Sequence, residues 1–452
     1  MSNEPIPQSE AQTPPAAYFL SLSIANFRCF KEEQTLDLSD GNGKPAMWTI
    51  LLGENGVGKT TLLQCLPTLC VESKMDWVRF NDELTAFINA NIDHKNQKVQ
   101  KKIFKSGLRV EYKCKLSAKF SVGGKEQEYT HIYKDGGINF FYNEDIDVER
   151  DIDRSIILNF CNWYGYSASR RVSDVPVRNI NNSFLQSSPL YNEKMDLLNG
   201  EYWLYQADYS SRISESSKAE TRKIQIQEIL KKILPDVQDF RFVLLDEVAL
   251  SPSIEVKTHY GWVSMANLSL GYRTAIAWVV DFASRMLDHY PDSPNPLTEP
   301  AVCLVDEIDL HMHPKWQREL IKTLSETFPK TQFIVTAHSP LIVQAAPNAN
   351  VALLRREGDH VVIENGWEKA RNWRVDQIFA SDLFDAGALS DEVRDALRRR
   401  RELAQKAGRT EADEAELASL NAKLDAMPSE AGAEAATVDE ILRYAEVLLQ
   451  KP

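Results

Sequence analysis

The chain has 452 residues, 43% of them hydrophobic and 26% charged, with a formal net charge of −13. That length allows about two to four domains with a sizeable core, and the acidic balance excludes a sequence-blind nucleic-acid coat while leaving room for a local basic groove. The six cysteines, at positions 29, 65, 70, 114, 161 and 303, form no CxxC pair, so neither a zinc framework nor a disulfide scaffold is indicated and a reducing cytoplasm fits.

Residues 1–17 are polar and Pro-rich, with no basic and apolar leader pattern, and read as a disordered tail. "FLSLSIANFRCF" (19–30) and "MWTILLGENG" (47–56) read as strands, and "ENGVGKTTLLQCLPTL" passes from a glycine loop into a helix. Residues 71–105 read as mixed and helical, with Lys95, Lys98, Lys101, Lys102 and Lys105 clustered near the end. "LRVEYKCKLSAKFSV" (108–122) alternates apolar and polar residues, as a half-exposed antiparallel strand does; "GGKEQEY" turns it into a partner and "DGGINFFY" suggests one more hairpin.

"RSIILNFCNWYGYSASRR" contains a buried strand, and "SKAETRKIQIQEILKKILPDV" reads as a helix stopped by Pro235. "FRFVLLDE" and "PSIEVKT" form a strand pair, and "NLSLGYRTAIAWVVDFASRMLDHY" a loop followed by a helix. That helix comes nearest to a membrane span, but Asp281 and Arg285 interrupt it and no stretch of about 18 apolar residues exists. "PAVCLVDE" and "TQFIVTAHS" are apolar throughout, as in parallel strands buried on both faces. A helix, "PKWQRELIKTLSETF", separates them, and "NVALLRREGDHVVIE" is a terminal hairpin. Beyond residue 385 the composition turns to Ala, Glu, Arg and Leu, giving amphipathic helices with a turn near Gly408. Thr410 with Asp413 and Thr437 with Glu440 fit capping boxes, and "PSEAGAEAA" reads as a linker. The expected division is 1–17 tail, 18–370 α/β head with a 71–250 insert of antiparallel strands and helices, and 371–452 helical.

"GENGVGKT" (53–60) fits G-x-x-x-x-G-K-[ST]. The glycines let backbone N–H groups converge on phosphate oxygens, and the helix that follows offers its positive end. In this pattern Asn55, Gly56, Gly58, Lys59, Thr60 and Thr61 hold the nucleotide, Lys59 reaches the β- and γ-phosphates, and the Thr60 hydroxyl coordinates Mg²⁺. "LVDEIDLHMHPKWQREL" (304–320) supplies a second half. Asp306 would hold Mg²⁺ directly or through water, and Glu307 would act as general base on the attacking water. His338, at the end of the next apolar strand, is placed to position it, because such strand ends converge on one ligand. A metal cluster built on Asp306, Glu307, Asp309, His311 and His313 is the competing reading; Pro314 opens a helix there, which favours histidines that pack or bond within the turn.

Taken together, "NFRCF" (26–30), "GENGVGKTT" (53–61), "NLSLGYR" (267–273), "CLVDEIDLHMHP" (303–314) and "VTAHSP" (335–340) resemble, in content and order, the ABC-type ATPases of the SMC, RecF and OLD group. The resemblance covers residues 18–365 and implies an ABC-type P-loop head with a mixed sheet and an antiparallel β lobe, binding ATP and Mg²⁺. It implies a head-to-tail dimer in which Ser269 and Gly271 meet the γ-phosphate in trans and Asp309 is the acid that crosses the interface. Arg28 would touch the nucleotide, and Gln206 in "YWLYQADYS" is the candidate for the family's Q-loop glutamine, against an ordinary polar loop residue. "LSLGYR" departs from the transporter signature LSGGQ, which together with "NFRCF" speaks against a transporter ATPase.

Between Thr61 and Asn267 there are no sustained heptads, so the long coiled coil of SMC proteins is not expected, and the residues after 365 carry no TOPRIM nuclease pattern. "NWRVDQIFASDLFDAGALSDEV" (372–393) resembles the post-ATPase linker of Septu-type ATPase subunits, including those found with retrons, which work with a separately encoded HNH nuclease. The resemblance therefore implies an antiphage-defence ATPase that gates such a nuclease, with DNA or a retron RNA/DNA component as a further partner. Two other functions compete: a RecF-like repair ATPase acting directly on DNA, and a scaffold that binds ATP and barely turns it over. Arg398–Arg401 read as a solvated helix face; the Lys95–Lys105 cluster with Arg170 and Arg171 is the better nucleic-acid candidate.

Overall fold

The structure is a computed structural model that describes residues 16–68, 114–134, 137–142, 162–171, 188–191, 196–213, 217–234, 236–243, 253–367, 372–373, 378, 391–406 and 410–425. The Lys95–Lys105 cluster, the helix expected over 71–105, the Thr437 capping box and most of the 372–393 linker lie outside them. The chain divides into two compact units, Met1–Ile378 and Phe379–Pro452.

The first unit is built on a six-stranded sheet of order β14-β13-β3-β12-β11-β7. Its strands are β3 (Trp48–Gly53), β7 (Trp163–Tyr166), β11 (Ala301–Val305), β12 (Thr331–Thr336), β13 (Asn350–Glu357) and β14 (His360–Glu364), all parallel to their neighbours except β14. The apolar runs that compose β3, β11 and β12 are buried along their lengths because both faces of the sheet are covered.

One face meets an antiparallel sheet of order β2-β1-β4-β5-β6, formed by β1 (Ala17–Ala25), β2 (Gln34–Asp37), β4 (Cys114–Val122), β5 (Lys125–Lys134) and β6 (Gly137–Tyr142). Phe19, Leu22, Ile24 and Leu36 from that sheet share a core with Leu51, Val302, Leu304, Ile334 and the helix α1 (Lys59–Thr68). The opposite face meets α4 (Leu270–His289): Phe282 lies against Tyr164 and Phe333, and Trp278 against Tyr166, at centroid separations of 5.0, 6.2 and 5.9 Å. A small sheet of β8 (Asp239–Val243), β9 (Ser253–Thr258) and β10 (Gly261–Ser264) precedes α4.

One expectation is corrected. β1 begins at Ala17, which is buried and pairs with Val122, so the strand reaches into the segment assigned to the tail. Among the described residues of 71–250, β4–β6 complete the sheet begun by β1 and β2, and β7 is a core strand paired with β11. The segment holding "YWLYQADYS" is a helix, α2 (Gly200–Ile213), which packs with α3 (Ser217–Ile233).

In the second unit, α7 (Asp391–Gln405) and α8 (Glu411–Asp425) form a helical pair. The predicted capping box is made: Asp413 N donates to Thr410 Oγ1 at 3.3 Å, and Asp413 Oδ2 accepts from Thr410 N at 2.8 Å. The Arg398–Arg401 run is largely committed to side chains of these two helices, with Arg399 on Glu416 and Arg400 on Asn421. Among the described residues no helix is long and apolar enough to cross a membrane.

Candidate functional site

β3 delivers the chain into the glycine loop at Gly53, whose φ of +138° only glycine adopts without strain and whose added Cβ would stand 2.4 Å from the Leu354 carbonyl oxygen. Replacing Gly53 with alanine is expected to cost about 2 kcal/mol or more, from strain and overpacking together, read as a shift in the denaturant midpoint. At Gly58 an added Cβ would meet Cys29 Sγ at 2.8 Å, so this turn also has no room for a side chain. The loop leads into α1, which has no acid in its first turn and so leaves its positive end to an incoming anion.

Lys59 is buried, and its ammonium donates to the carbonyls of Gly53 at 2.7 Å and Glu54 at 2.9 Å. Burial lowers its pKa from the usual lysine range; Asp306, Glu307, Asp309 and Glu54 oppose that shift. The sequence pattern placed this lysine, and its hydrogen bonds show how the loop itself holds the cation at the mouth of the helix.

β11 and β12 run parallel with Val305 opposite Val335, so Asp306 and Thr336 emerge side by side. Thr336 Oγ1 donates to Asp306 Oδ1 at 2.6 Å and accepts the Glu307 N–H at 2.7 Å. Thr60 Oγ1 donates to the other Asp306 oxygen at 2.8 Å, joining the glycine loop to the acid strand. Glu307 takes a left-handed φ of 48°, a conformation costly outside glycine and common where function demands it. Its carboxylate is partly exposed and lies 3.8 Å from His338 Nε2.

Arg28 arrives from a tight turn closed by paired Phe27 and Phe30 backbones, at 2.9 Å in each direction. Its φ of 52° turns the side chain toward α1, where Nη1 donates to Thr61 Oγ1. Arg28, Cys29, Asn55, Gly56, Gly58, Lys59, Thr60, Thr61, Asp306, Glu307 and His338 line a single cleft of about 310 Å³. That volume is at the lower end of small-ligand sites.

Four predicted residues stand outside the cleft lining. Gln206 is exposed on α2, donates to Tyr202 Oη at 2.6 Å and does not line the cleft; the "YWLYQADYS" segment is a helix and not a loop. The strand that borders β11 is instead β7, and the loop leaving it, Ser167–Arg171, holds no glutamine. Asp309 is buried, and its carboxylate accepts the His338 N–H at 3.0 Å within the chain. Ser269 caps α4 from an exposed position with no side-chain capping bond, and Gly271 is close against the acid loop, where an added Cβ would stand 2.3 Å from the His311 carbonyl oxygen. Neither lines the cleft of its own chain. His313 caps α5 (Pro314–Thr327), accepting from Lys315 N at 3.3 Å, and among the described residues no group of three or more His, Cys, Asp or Glu could hold a metal ion.

Thr336 and Arg170 were not singled out for the acid site from the sequence. A polar residue ending the apolar run "TQFIVT" was the available signal for Thr336; Arg170 was read with Arg171 as a nucleic-acid candidate, but it is buried and its partners are the backbone carbonyls of the acid loop.

A family model described as AAA ATPase domain matches residues 19–343. The Retron Vc95 probable ATPase of Vibrio cholerae serotype O1 biovar El Tor is 34% identical over 131 residues, which cover 28% of this chain and 24% of that protein. The Retron Ec83 probable ATPase of Escherichia coli is 43% identical over 93 residues, 21% of this chain and 17% of that protein. The Septu protein PtuA of Bacillus mycoides (strain KBAB4) is 24% identical over 380 residues, 80% of this chain and 44% of that protein. The chain thus spans less than half the length of these curated relatives. Among solved structures, an SMC head bound to the C-winged helix domain of ScpA aligns with a TM-score of 0.46 at 15% identity, covering 78% of this chain and 99% of that one. With the family match extending over most of its length, the chain belongs to the AAA ATPase domain family.

Proposed function

We propose that the chain binds Mg–ATP in the Lys59 cleft and hydrolyses it, as the nucleotide-driven subunit of an antiphage defence complex. The observation that carries this reading is the meeting of Lys59, Thr60, Asp306, Glu307 and His338 around one cleft at the open end of α1. The loop amides and the α1 N-terminus bind the phosphates, and Lys59 adds the cation that tracks the outer ones. The Thr60 hydroxyl and the Asp306 carboxylate are adjacent hard oxygen donors, the small ligand set with which magnesium is held when phosphates complete its shell. Magnesium, when bound there, draws charge from the phosphate oxygens. Glu307 accepts a proton from the attacking water, and His338, beside it, orients water and carboxylate. Arg28 steadies the start of α1 through Thr61 and presents its charge to the cleft.

Ser269 and Gly271 of one copy are proposed to close over the nucleotide of another, with the uncapped start of α4 facing its phosphates. The likeness to retron and Septu ATPases supports placing the complex in defence, with a separately encoded HNH nuclease docked on the helical region 371–452 and DNA or a retron nucleic acid as a further partner.

The test is steady-state ATP turnover by the full chain, with and without magnesium, across protein concentrations. A rate per chain that rises with concentration supports closure between copies; a flat rate removes it. Lys59→Ala is expected to weaken ATP binding about 30- to 100-fold, the loss of charge-assisted hydrogen bonds to phosphate, as measured by fluorescent-nucleotide titration. For the partner, the chain expressed with its gene neighbours is purified and weighed: a co-purifying HNH protein supports the defence reading. A chain that purifies alone and shifts DNA with ATP favours a repair ATPase.

A further inference from the structure

The acid pair of the cleft is held from behind by a buried arginine that none of the sequence motifs contains. Arg170 leaves the end of β7, the strand beside β11, and is only 3% exposed. Its Nη2 donates to two successive carbonyls, those of Asp306 and Glu307, the latter at 2.6 Å. Successive carbonyls of a strand point to opposite sides, so one nitrogen can reach both only where the strand has ended and the chain has turned. That turn is the left-handed Glu307, with φ 48°. Arg170 is itself left-handed, with φ 35°, so two costly backbone conformations face each other across one hydrogen-bonded contact.

The surroundings show what the contact does. Burial pulls the Arg170 guanidinium down to about 10, opposed by the charges of Asp306, Asp309 and Glu307. The same acids oppose the burial of Lys59. The same three carboxylates thus oppose the burial of two cations, one from the phosphate loop and one from the β7 loop. Among the described residues, Arg170 Nε and Nη1 meet no acceptor, so the two acid-loop carbonyls are what hold this side chain. The β7 loop is in turn pinned by the Arg171 carbonyl, which accepts Leu197 N at 2.7 Å, and by a 2.9 Å bond between the Ser167 and Ser169 hydroxyls.

We infer that Arg170 is a positioning residue for the proposed hydrolysis: it clamps the Asp306–Glu307 backbone in the turned conformation that aims Glu307 at the cleft. It does not line the cleft, and it acts through Glu307. This rests on the ATPase reading, and its test separates the two. Full-length Arg170→Met and Arg170→Lys are compared with the parent for kcat and KM of Mg–ATP, together with hydrogen exchange of the peptide spanning 303–313 and of the phosphate-loop peptide 49–66.

Loss of the clamp lets Glu307 drift by about an ångström, and such a displacement costs about 10²-fold in rate. Arg170→Met is therefore expected to lose about that in kcat with KM within about threefold, to speed exchange in 303–313 at least about tenfold, and to leave 49–66 unchanged. Arg170→Lys, which keeps the charge and a donor, is expected to recover about tenfold of the rate. Arg170→Met with parental kcat and parental exchange overturns the inference. So does a loss in which both variants unfold alike and both peptides exchange faster, because the role is then one of bulk stability. Should the parent show no turnover, the proposed hydrolysis falls, and the exchange of 303–313 still decides the clamp.

Discussion

Glu307→Gln is expected to lower ATP turnover by about 10²–10⁴-fold, the range of a general base, while ATP affinity stays within about threefold or improves. Glutamine matches glutamate in size and leaves the backbone bonds from Glu307 N to Thr336 and from Arg170 to the Glu307 carbonyl intact. The two properties lost are the ability to take a proton and a negative charge near the phosphates. The first belongs to the chemical step; the second opposes the binding of a polyanion, so its removal does not weaken the ground state. Single-turnover hydrolysis beside nucleotide titration separates these effects. Glu307→Gln with parental turnover would mean that another group accepts the proton or that the nucleotide is a structural element, which is the scaffold reading. His338→Ala should lose less, because His338 touches the base at 3.8 Å rather than replacing it.

The cleft was legible in the sequence to the extent that it is made of local patterns. The glycine loop needs its spacing within eight successive residues, and the apolar runs of β11 and β12 announce strands covered on both faces, so Lys59, Thr60, Asp306, Glu307 and His338 could be brought together before any coordinates. What escaped is what depends on sheet order. Nothing in "NWYGY" says that this short run joins β11 and not the antiparallel sheet, and without that neighbour the position of Arg170 has no meaning. Gln206 was misplaced for the related reason that its segment was read as a loop. Leu204 and Asp208, both buried and four residues apart, are the inward side of a helix, and Gln206 faces away between them. Asp309 shows a different limit: the family pattern identified the residue, but the orientation of its carboxylate is decided by the His338 N–H it accepts, a contact between two strand ends.

Asp281→Ala is expected to destabilise the chain by about 3–5 kcal/mol, the cost of removing one partner from a buried ion pair. Asp281 interrupts the apolar run of α4 and is 1% exposed. Arg285 donates to it through Nε at 2.7 Å and Nη2 at 3.1 Å, and the Tyr166 hydroxyl donates at 2.9 Å. Burial disfavours the Arg285 charge, but the Asp281 carboxylate outweighs it and raises the guanidinium pKa; Tyr166 is raised by burial and then by the same carboxylate. With alanine at 281, the Tyr166 hydroxyl and a mostly buried guanidinium are both left without this acceptor. Replacing Asp281→Leu with Arg285→Met and Tyr166→Phe together is expected to recover at least half of the loss, because neither the hydroxyl nor the guanidinium is then stranded. Equilibrium urea unfolding of the three proteins provides the comparison, and a single Asp281→Ala within about 1 kcal/mol of the parent would refute the account. The pair also has a place in the proposed catalysis. Tyr166 ends β7, its carbonyl accepts Asp306 N at 2.9 Å, and four residues later the chain reaches Arg170. α4, whose first turn carries Ser269 and Gly271, is thereby tied through Asp281 to the strand that holds the acids from behind. Weakening that tie should lower turnover even at temperatures where the chain stays folded, and a folded Asp281→Asn with reduced kcat and parental ATP affinity is the result expected.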